Sequence, residues 1–160
     1  MLRAANVGLG RWGRSLVASV QGKSKDLRFV LAHTRTRATA EDFCRGQGVA
    51  LVDSYEQLLA DRNVDAVVLA TPHSLHESQI IAAAAAGKHI HVEKPITLHR
   101  ASADRAVDAA RKAGVVLAVG YCRRFHPSVV EVRQRLAEGR LGTVISMVAQ
   151  HTTDGWKRRQ

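Results

Sequence analysis

Gly8-Leu9-Gly10-Arg11-Trp12-Gly13, the stretch GLGRWG, decides the fold. It follows an apolar run at residues 4–7 and leads into a helical pattern at 14–20, which is the strand, turn and helix context that a GxGxxG motif requires. In that context Gly8 permits the tight turn, Gly10 lets the backbone approach a pyrophosphate, and Gly13 allows close packing of helix on strand. The helix N-terminus supplies amide hydrogens and the positive end of a dipole, and Arg11 and Trp12 within the motif are candidate cofactor contacts. The expected ligand is a dinucleotide.

Outward from the motif, apolar β-type runs recur at residues 29–32, 49–52, 66–70, 89–92 and 115–119. Helical patterns lie between them, at 38–45, 54–59, 74–86 and 101–113, and Gly87 and Gly114 stand where left-handed helix ends favour glycine. Alternation of this kind implies right-handed crossovers and a mostly parallel, doubly wound α/β sheet with helices on both faces. The pattern changes after Pro127, where a helix at 128–137 leads through GRLG to the strand-like TVISMVAQ. The expected division is a dinucleotide-binding Rossmann domain over 1–125, then a connecting helix and the beginning of a truncated second-domain sheet over 126–160.

The 160 residues, 46% of them hydrophobic, suffice for one domain with a proper core. Aromatic residues make up only 4% of the chain, too few for a base-stacking platform. The net charge of +10 would suit a polyanion, yet the arginines are spread along helices and the one dense run is Lys157, Arg158 and Arg159 in the tail. Without a recognition motif, nucleic acid is not an expected partner. Cys44 and Cys122 lack disulfide or metal-ligand spacing, in keeping with a reducing cytoplasm. The chain opens without a signal-peptide pattern and has no apolar run of membrane-spanning length, so a cytoplasmic protein without a membrane partner is expected.

Four places carry candidate chemistry. The second strand ends in AHTRTR, where an acidic residue would grip the adenosine ribose; Thr34 and Arg35 stand there instead. An arginine beside a hydroxyl can hold a 2′-phosphate that a carboxylate would repel, which favours NADP over NAD; the alternative is that Arg35 and Arg37 are merely solvated. TPHSLH places Thr71, Pro72, His73 and His76 after the fourth strand, at the edge where open α/β sheets bind ligands, although Thr71 and Pro72 would equally serve to start the next helix. HVEKP ends the fifth strand with Glu93, Lys94 and Pro95: the lysine could donate to a substrate oxygen, or simply pair with Glu93 at the surface. His89 and His91 share a strand face, but no carboxylate or cysteine joins them at ligand spacing, so no metal is expected.

GLGRWG, ATPHSLH, AGKHIHVEKP and GYCRRFHP, each at a strand end and in this order, resemble the glucose-fructose oxidoreductase, inositol 2-dehydrogenase and MocA family over residues 3–150. The resemblance implies an NAD(P)-dependent, commonly oligomeric oxidoreductase that moves a hydride between nicotinamide and a sugar, cyclitol or similar polyhydroxylated compound. It implies that Gly8, Gly10 and Gly13 hold the pyrophosphate, that Arg35 sits by the adenosine ribose, and that Thr71, Pro72 and His76 line the cofactor cleft. It further implies Glu93 near the nicotinamide ribose, Lys94 as the catalytic contact to the reacting oxygen, a cis bond before Pro95, and Arg123 and Arg124 closing the cleft. Arg124 could instead be a solvent-facing residue at a helix start. Family enzymes are longer and carry a catalytic aspartate and histidine in their second domain; His151 and Asp154 lack that context.

The expectation is the cofactor-binding portion of such an enzyme, weakly active or inactive alone. The alternative is a stand-alone NAD(P)-binding module that works through a partner or as a homo-oligomer, its unpaired TVISMVAQ edge joining a copy of itself.

Overall fold

The computed structural model describes residues 1–150, so His151, Asp154 and the basic run Lys157 to Arg159 lie outside the described residues. The chain divides into two compact units, Met1–Tyr121 and Cys122–Gln160. The first unit alternates strictly: β1 (Leu2–Val7), α1 (Arg11–Val20), β2 (Leu27–His33), α2 (Glu41–Gln47), β3 (Ala50–Leu51), α3 (Tyr55–Ala60), β4 (Ala66–Leu69), α4 (His76–Ala85), β5 (His89–Val92), α5 (Arg100–Ala113) and β6 (Leu117–Val119). Every strand pair is parallel, and the order is β3-β2-β1-β4-β5-β6. The direction of winding reverses between β1 and β4, and such a reversal opens a crevice at the carboxyl ends of those two strands.

Two cores lie on opposite faces of the sheet. On one face Ala5 and Val7 of β1, Val67 and Leu69 of β4 and Ile90 and Val92 of β5 pack with Leu58 of α3, Ile80 of α4 and Ala106 of α5. On the other, Ala4, Phe29 and Val68 pack with Val17 of α1 and Cys44 of α2. The alternation along β1 and β4 follows from the two-residue period of a strand, and burial on both faces accounts for their continuous apolar character. Burial raises the pKa of the Cys44 thiol above its ordinary value, with the Arg14 charge opposing. That thiol is a packing group.

Helix starts are where the expected boundaries move. The first helix begins at Arg11 because the glycine turn feeds directly into it. Ser54 lies outside α3 as its cap, its hydroxyl accepting from the Gln57 amide at 3.0 Å. The helix expected at 38–45 divides into a 3₁₀ turn at Arg37–Thr39 and α2, and that expected at 74–86 into a 3₁₀ turn at His73–Leu75 and α4. Gly114 ends α5 at φ +67, in the left-handed region expected of it.

The second unit holds a 3₁₀ turn at Cys122–Phe125 and α6 (Pro127–Ala137), with Pro127 in the first turn, where its missing N–H costs nothing. Residues 143–150, expected as a strand, form none. A strand exists through its ladder, and all described pairings are among β1 to β6, so apolar composition alone does not make one here. The segment instead borders an apolar hollow of about 640 Å³ with Val129, Val132 and Leu136 of α6. Among the described residues no helix is long and apolar enough to cross a membrane.

At the amino edge of the sheet Arg3 and Asp65 join β1 to the entry of β4. The Arg3 backbone N–H, Nε and one Nη donate to the Asp65 carboxylate at 2.9, 3.0 and 2.7 Å. Those donors, the side chain first, hold the Asp65 carboxyl well below the usual carboxylate range. A carboxyl with a lowered folded pKa gives its full stabilisation above its unfolded value, about 3.9, and loses it as the pH falls toward the folded value. Asp65→Asn should therefore flatten the acid limb of thermal stability below about pH 4. Melting curves between neutral and acid pH check this, and parallel limbs for the two proteins would refute it.

Candidate functional site

The crevice at the reversal point is a cleft of about 290 Å³. One wall is the glycine turn and the end of β2, with Gly8, Gly10, Thr34 and Arg35; the other is Thr71, Pro72, Leu75 and Gln79 after β4. The turn has the geometry its residues imply. Gly8 has φ +94, and a Cβ there would lie 2.7 Å from the Ala70 carbonyl oxygen. At Gly13 a Cβ would lie 1.9 Å from the Gly8 carbonyl oxygen, so only glycine allows α1 this close to the turn. A Cβ on Gly10 would meet no atom within 4 Å, which leaves the backbone open to approach.

Behind the turn, α1 begins without a side-chain cap and without an acidic residue in its first turn. Its free amide hydrogens and positive dipole end are therefore not answered by the protein's own groups. The turn is held in place from α1, where Arg14 Nε donates to the Leu9 carbonyl at 3.0 Å, and from β2, where the Leu9 amide faces the Thr34 hydroxyl at 3.4 Å. Arg11 and Trp12 are both exposed on the first turn of α1.

The two arginines after β2 differ. Arg37 pairs with Glu41 and Asp53, so its charge is spent within the protein. Arg35 lines the cleft and makes no hydrogen bond or ion pair among the described residues. Composition could not tell them apart.

The TPHSLH residues also separate. Thr71 and Pro72 line the cleft, and Pro72 precedes the 3₁₀ turn as its cap, so both readings of this dipeptide apply. The Thr71 hydroxyl donates to Gln79 Oε1 at 2.6 Å, and the Tyr55 hydroxyl donates to the Gln79 backbone carbonyl at 2.8 Å. His73 is exposed and borders a neighbouring hollow with His99 and Arg105 rather than this cleft. His76, expected in the cleft wall, is fully buried beneath it. Its Nδ1 lies 3.0 Å from the Pro95 carbonyl oxygen and 3.2 Å from that of Ile96, and its Nε2 lies 3.1 Å from that of Thr71. The ring ties the loop after β4 to the loop after β5, because backbone carbonyls from both converge on it.

Glu93 and Lys94 leave β5 at the same carboxyl edge, one strand beyond β4. They form no ion pair with each other. Glu93 is 9% exposed, accepts from the Lys94 backbone N–H at 3.4 Å, and lies where a Cβ on Gly120 would be 2.7 Å from Oε1. Lys94 is exposed with its charge unpaired among the described residues, and the bond to Pro95 is cis. Arg123 and Arg124 fall in the second unit, on the turn Cys122–Phe125, both exposed. Among the described residues no group of three or more His, Cys, Asp or Glu could hold a metal ion.

Besides the strand-end residues Val7 and Ala70, the cleft is lined by Leu9, His33, Thr36, Leu75 and Gln79, none of which the sequence had marked as site residues. A four-residue helical step links Leu75 to Gln79 and could have placed them on one face, but not which face met the turn.

A model of the oxidoreductase family with an NAD-binding Rossmann fold, Gfo/Idh/MocA, matches residues 2–121. The scyllo-inositol 2-dehydrogenase (NAD(+)) of Bacillus subtilis is 37% identical over 150 residues, covering 90% of this chain and 42% of its own. Among solved structures, scyllo-inositol dehydrogenase from Lactobacillus casei with bound NAD(H) and scyllo-inositol superposes with a TM-score of 0.83 at 26% identity, over 89% of this chain and 42% of its own. A 3-ketoreductase from Actinomadura kijaniata in complex with TDP-benzene and NADP superposes with a TM-score of 0.78 at 29% identity, over 86% of this chain and 44% of its own. The chain thus spans less than half the length of these relatives.

Proposed function

Since the chain belongs to the Gfo/Idh/MocA oxidoreductase family, we propose that its first unit binds NADP(H) in the cleft between β1 and β4, as the cofactor-holding part of a sugar or cyclitol oxidoreductase. The observation that carries this is the uncapped, acid-free start of α1 behind a turn whose Gly10 is open to approach. An anion fits such a place because it answers donors that the protein leaves unanswered. Gly8, Gly10 and the first amides of α1, at Arg11 and Trp12, would hold the pyrophosphate, with Gly13 keeping the helix close. Thr34 and Arg35 would hold the adenosine ribose and its 2′-phosphate, and Thr71 and Pro72 would form the facing wall.

Relatives bound to NAD(H) and to NADP show that the family accommodates both cofactors. The unpaired Arg35 supports the phosphorylated one here. When bound, the nicotinamide supplies a hydride donor or acceptor. Lys94, unpaired at the same sheet edge, is suited to donate to the substrate oxygen, and the buried Glu93 carboxylate to accept from a ribose hydroxyl.

Titration of the chain with NADPH and NADH, followed by calorimetry or tryptophan fluorescence, tests the reading. Both cofactors should bind, NADPH the more tightly. No binding of either at millimolar concentration would remove the proposal.

A further inference from the structure

Asn6 is the penultimate residue of β1, on the side packed by α1, and is fully buried. Its Nδ2 donates to the Gly8 carbonyl at 3.0 Å, while its Oδ1 has no hydrogen-bond partner among the described residues. Flipping the amide does not help, because that would set an oxygen against the Gly8 carbonyl. A leucine has the same branching and would remove the unpaired Oδ1, but it would leave the Gly8 carbonyl without its donor. What asparagine adds is one donor to one carbonyl.

That carbonyl oxygen is the one a Cβ on Gly13 would strike at 1.9 Å. It is therefore turned inward against α1, with Asn6 as its donor. In a trans peptide the C=O and the following N–H point in opposite directions, so fixing the Gly8 carbonyl inward turns the Leu9 amide toward the cleft. That amide donates to the Thr34 hydroxyl at 3.4 Å, a long bond to a neutral acceptor that an anionic oxygen, the stronger acceptor, would replace or share.

We propose that Asn6 is a positioning residue for the cofactor: it never touches the ligand, but by holding the Gly8 carbonyl inward it presents the Leu9 amide to an anionic oxygen in the cleft. This rests on the cofactor reading above. Asparagine at β1 then serves binding by way of the Gly8 carbonyl, although its own Oδ1 stays unpaired among the described residues.

The test is to measure melting temperature and NADPH affinity for Asn6→Leu and Asn6→Val, together with the Leu9 amide resonance in the cofactor-free protein. At least one of these apolar variants should melt near the wild-type temperature, the loss of the unpaired Oδ1 offsetting the donor lost by the Gly8 carbonyl, and yet bind NADPH about five- to tenfold more weakly, the effect of one misplaced hydrogen bond. Its Leu9 resonance should shift or broaden before any cofactor is added. Asn6→Asp should lose affinity as well, because a carboxylate offers no N–H to the Gly8 carbonyl. Wild-type affinity in both apolar variants, affinity that falls only in step with melting temperature, or an unmoved Leu9 resonance would overturn the proposal. A wild-type protein that binds no NADPH would instead overturn the cofactor reading.

Discussion

Gly13→Ala is expected to lower the melting temperature by roughly 10 °C or more and to abolish NADPH binding, whereas Gly10→Ala leaves the melting temperature nearly unchanged and weakens binding alone. The contrast follows from what each added methyl meets. On Gly13 it would sit 1.9 Å from the Gly8 carbonyl oxygen, a backbone atom on a turn held by Asn6 and Arg14. Neither side of that contact can yield without moving α1 away from β1, and forced core contacts of this kind cost about 1–3 kcal/mol or more. On Gly10 the methyl meets no protein atom within 4 Å, and φ is −66°, a value alanine adopts freely. The only thing it can obstruct is a ligand that comes close to the backbone. Thermal melts paired with NADPH titrations check both variants. If Gly10→Ala bound NADPH with wild-type affinity, the pyrophosphate would not lie on this turn.

The second large effect is on cofactor choice. Arg35→Ala should cut NADPH affinity by roughly 10- to 100-fold and leave NADH affinity within about twofold, as befits loss of a hydrogen bond between charged partners at about 1.5–3 kcal/mol. Arg37→Ala serves as the control, since its guanidinium is already engaged by Glu41 and Asp53 and has no charge to spare for a phosphate. It should change neither affinity by more than about twofold, and its effect, if any, should be on stability, where exposed ion pairs are worth about 0–1 kcal/mol. Calorimetric titration of the three proteins with both cofactors reads the outcome. A parallel loss of NADPH and NADH affinity in Arg35→Ala would mean that the arginine shapes the loop rather than selecting the phosphate.

The parts of the fold that were legible are those governed by neighbours in the chain. The strand runs and the glycines at φ +94 and +67 follow from steric limits within a few residues, although α1 starts at Arg11, three residues before its expected start. The cis bond at Lys94–Pro95, expected from the family resemblance, is present. The segment TVISMVAQ shows the opposite case: its apolar composition suits a strand, but a strand requires a hydrogen-bonded neighbour, and composition does not supply one.

The site divides along the same line. His76 could be placed on the first turn of a helix from its spacing, yet its burial depends on carbonyls of Pro95 and Ile96 that arrive from the far end of the next strand. Arg35 and Arg37 are alike in type and two residues apart; the difference between a paired charge and an available one was set by where Asp53, at the start of the α3 loop, came to lie. Gln79 lines the cleft with its side chain bonded by the Thr71 hydroxyl and its backbone carbonyl by Tyr55, partners that come from other segments of the chain.

GLGRWG, read with its flanking periodicities, was enough to establish a parallel α/β sheet with an anion-receptive turn, because glycine tolerance and helix-end dipoles are local properties. Which side chains face the cleft, which charges remain unpaired, and why a buried asparagine sits under the turn depended on segments that meet only after folding. Those are properties of contacts between elements, and a linear pattern carries no distance between residues that the fold alone brings together.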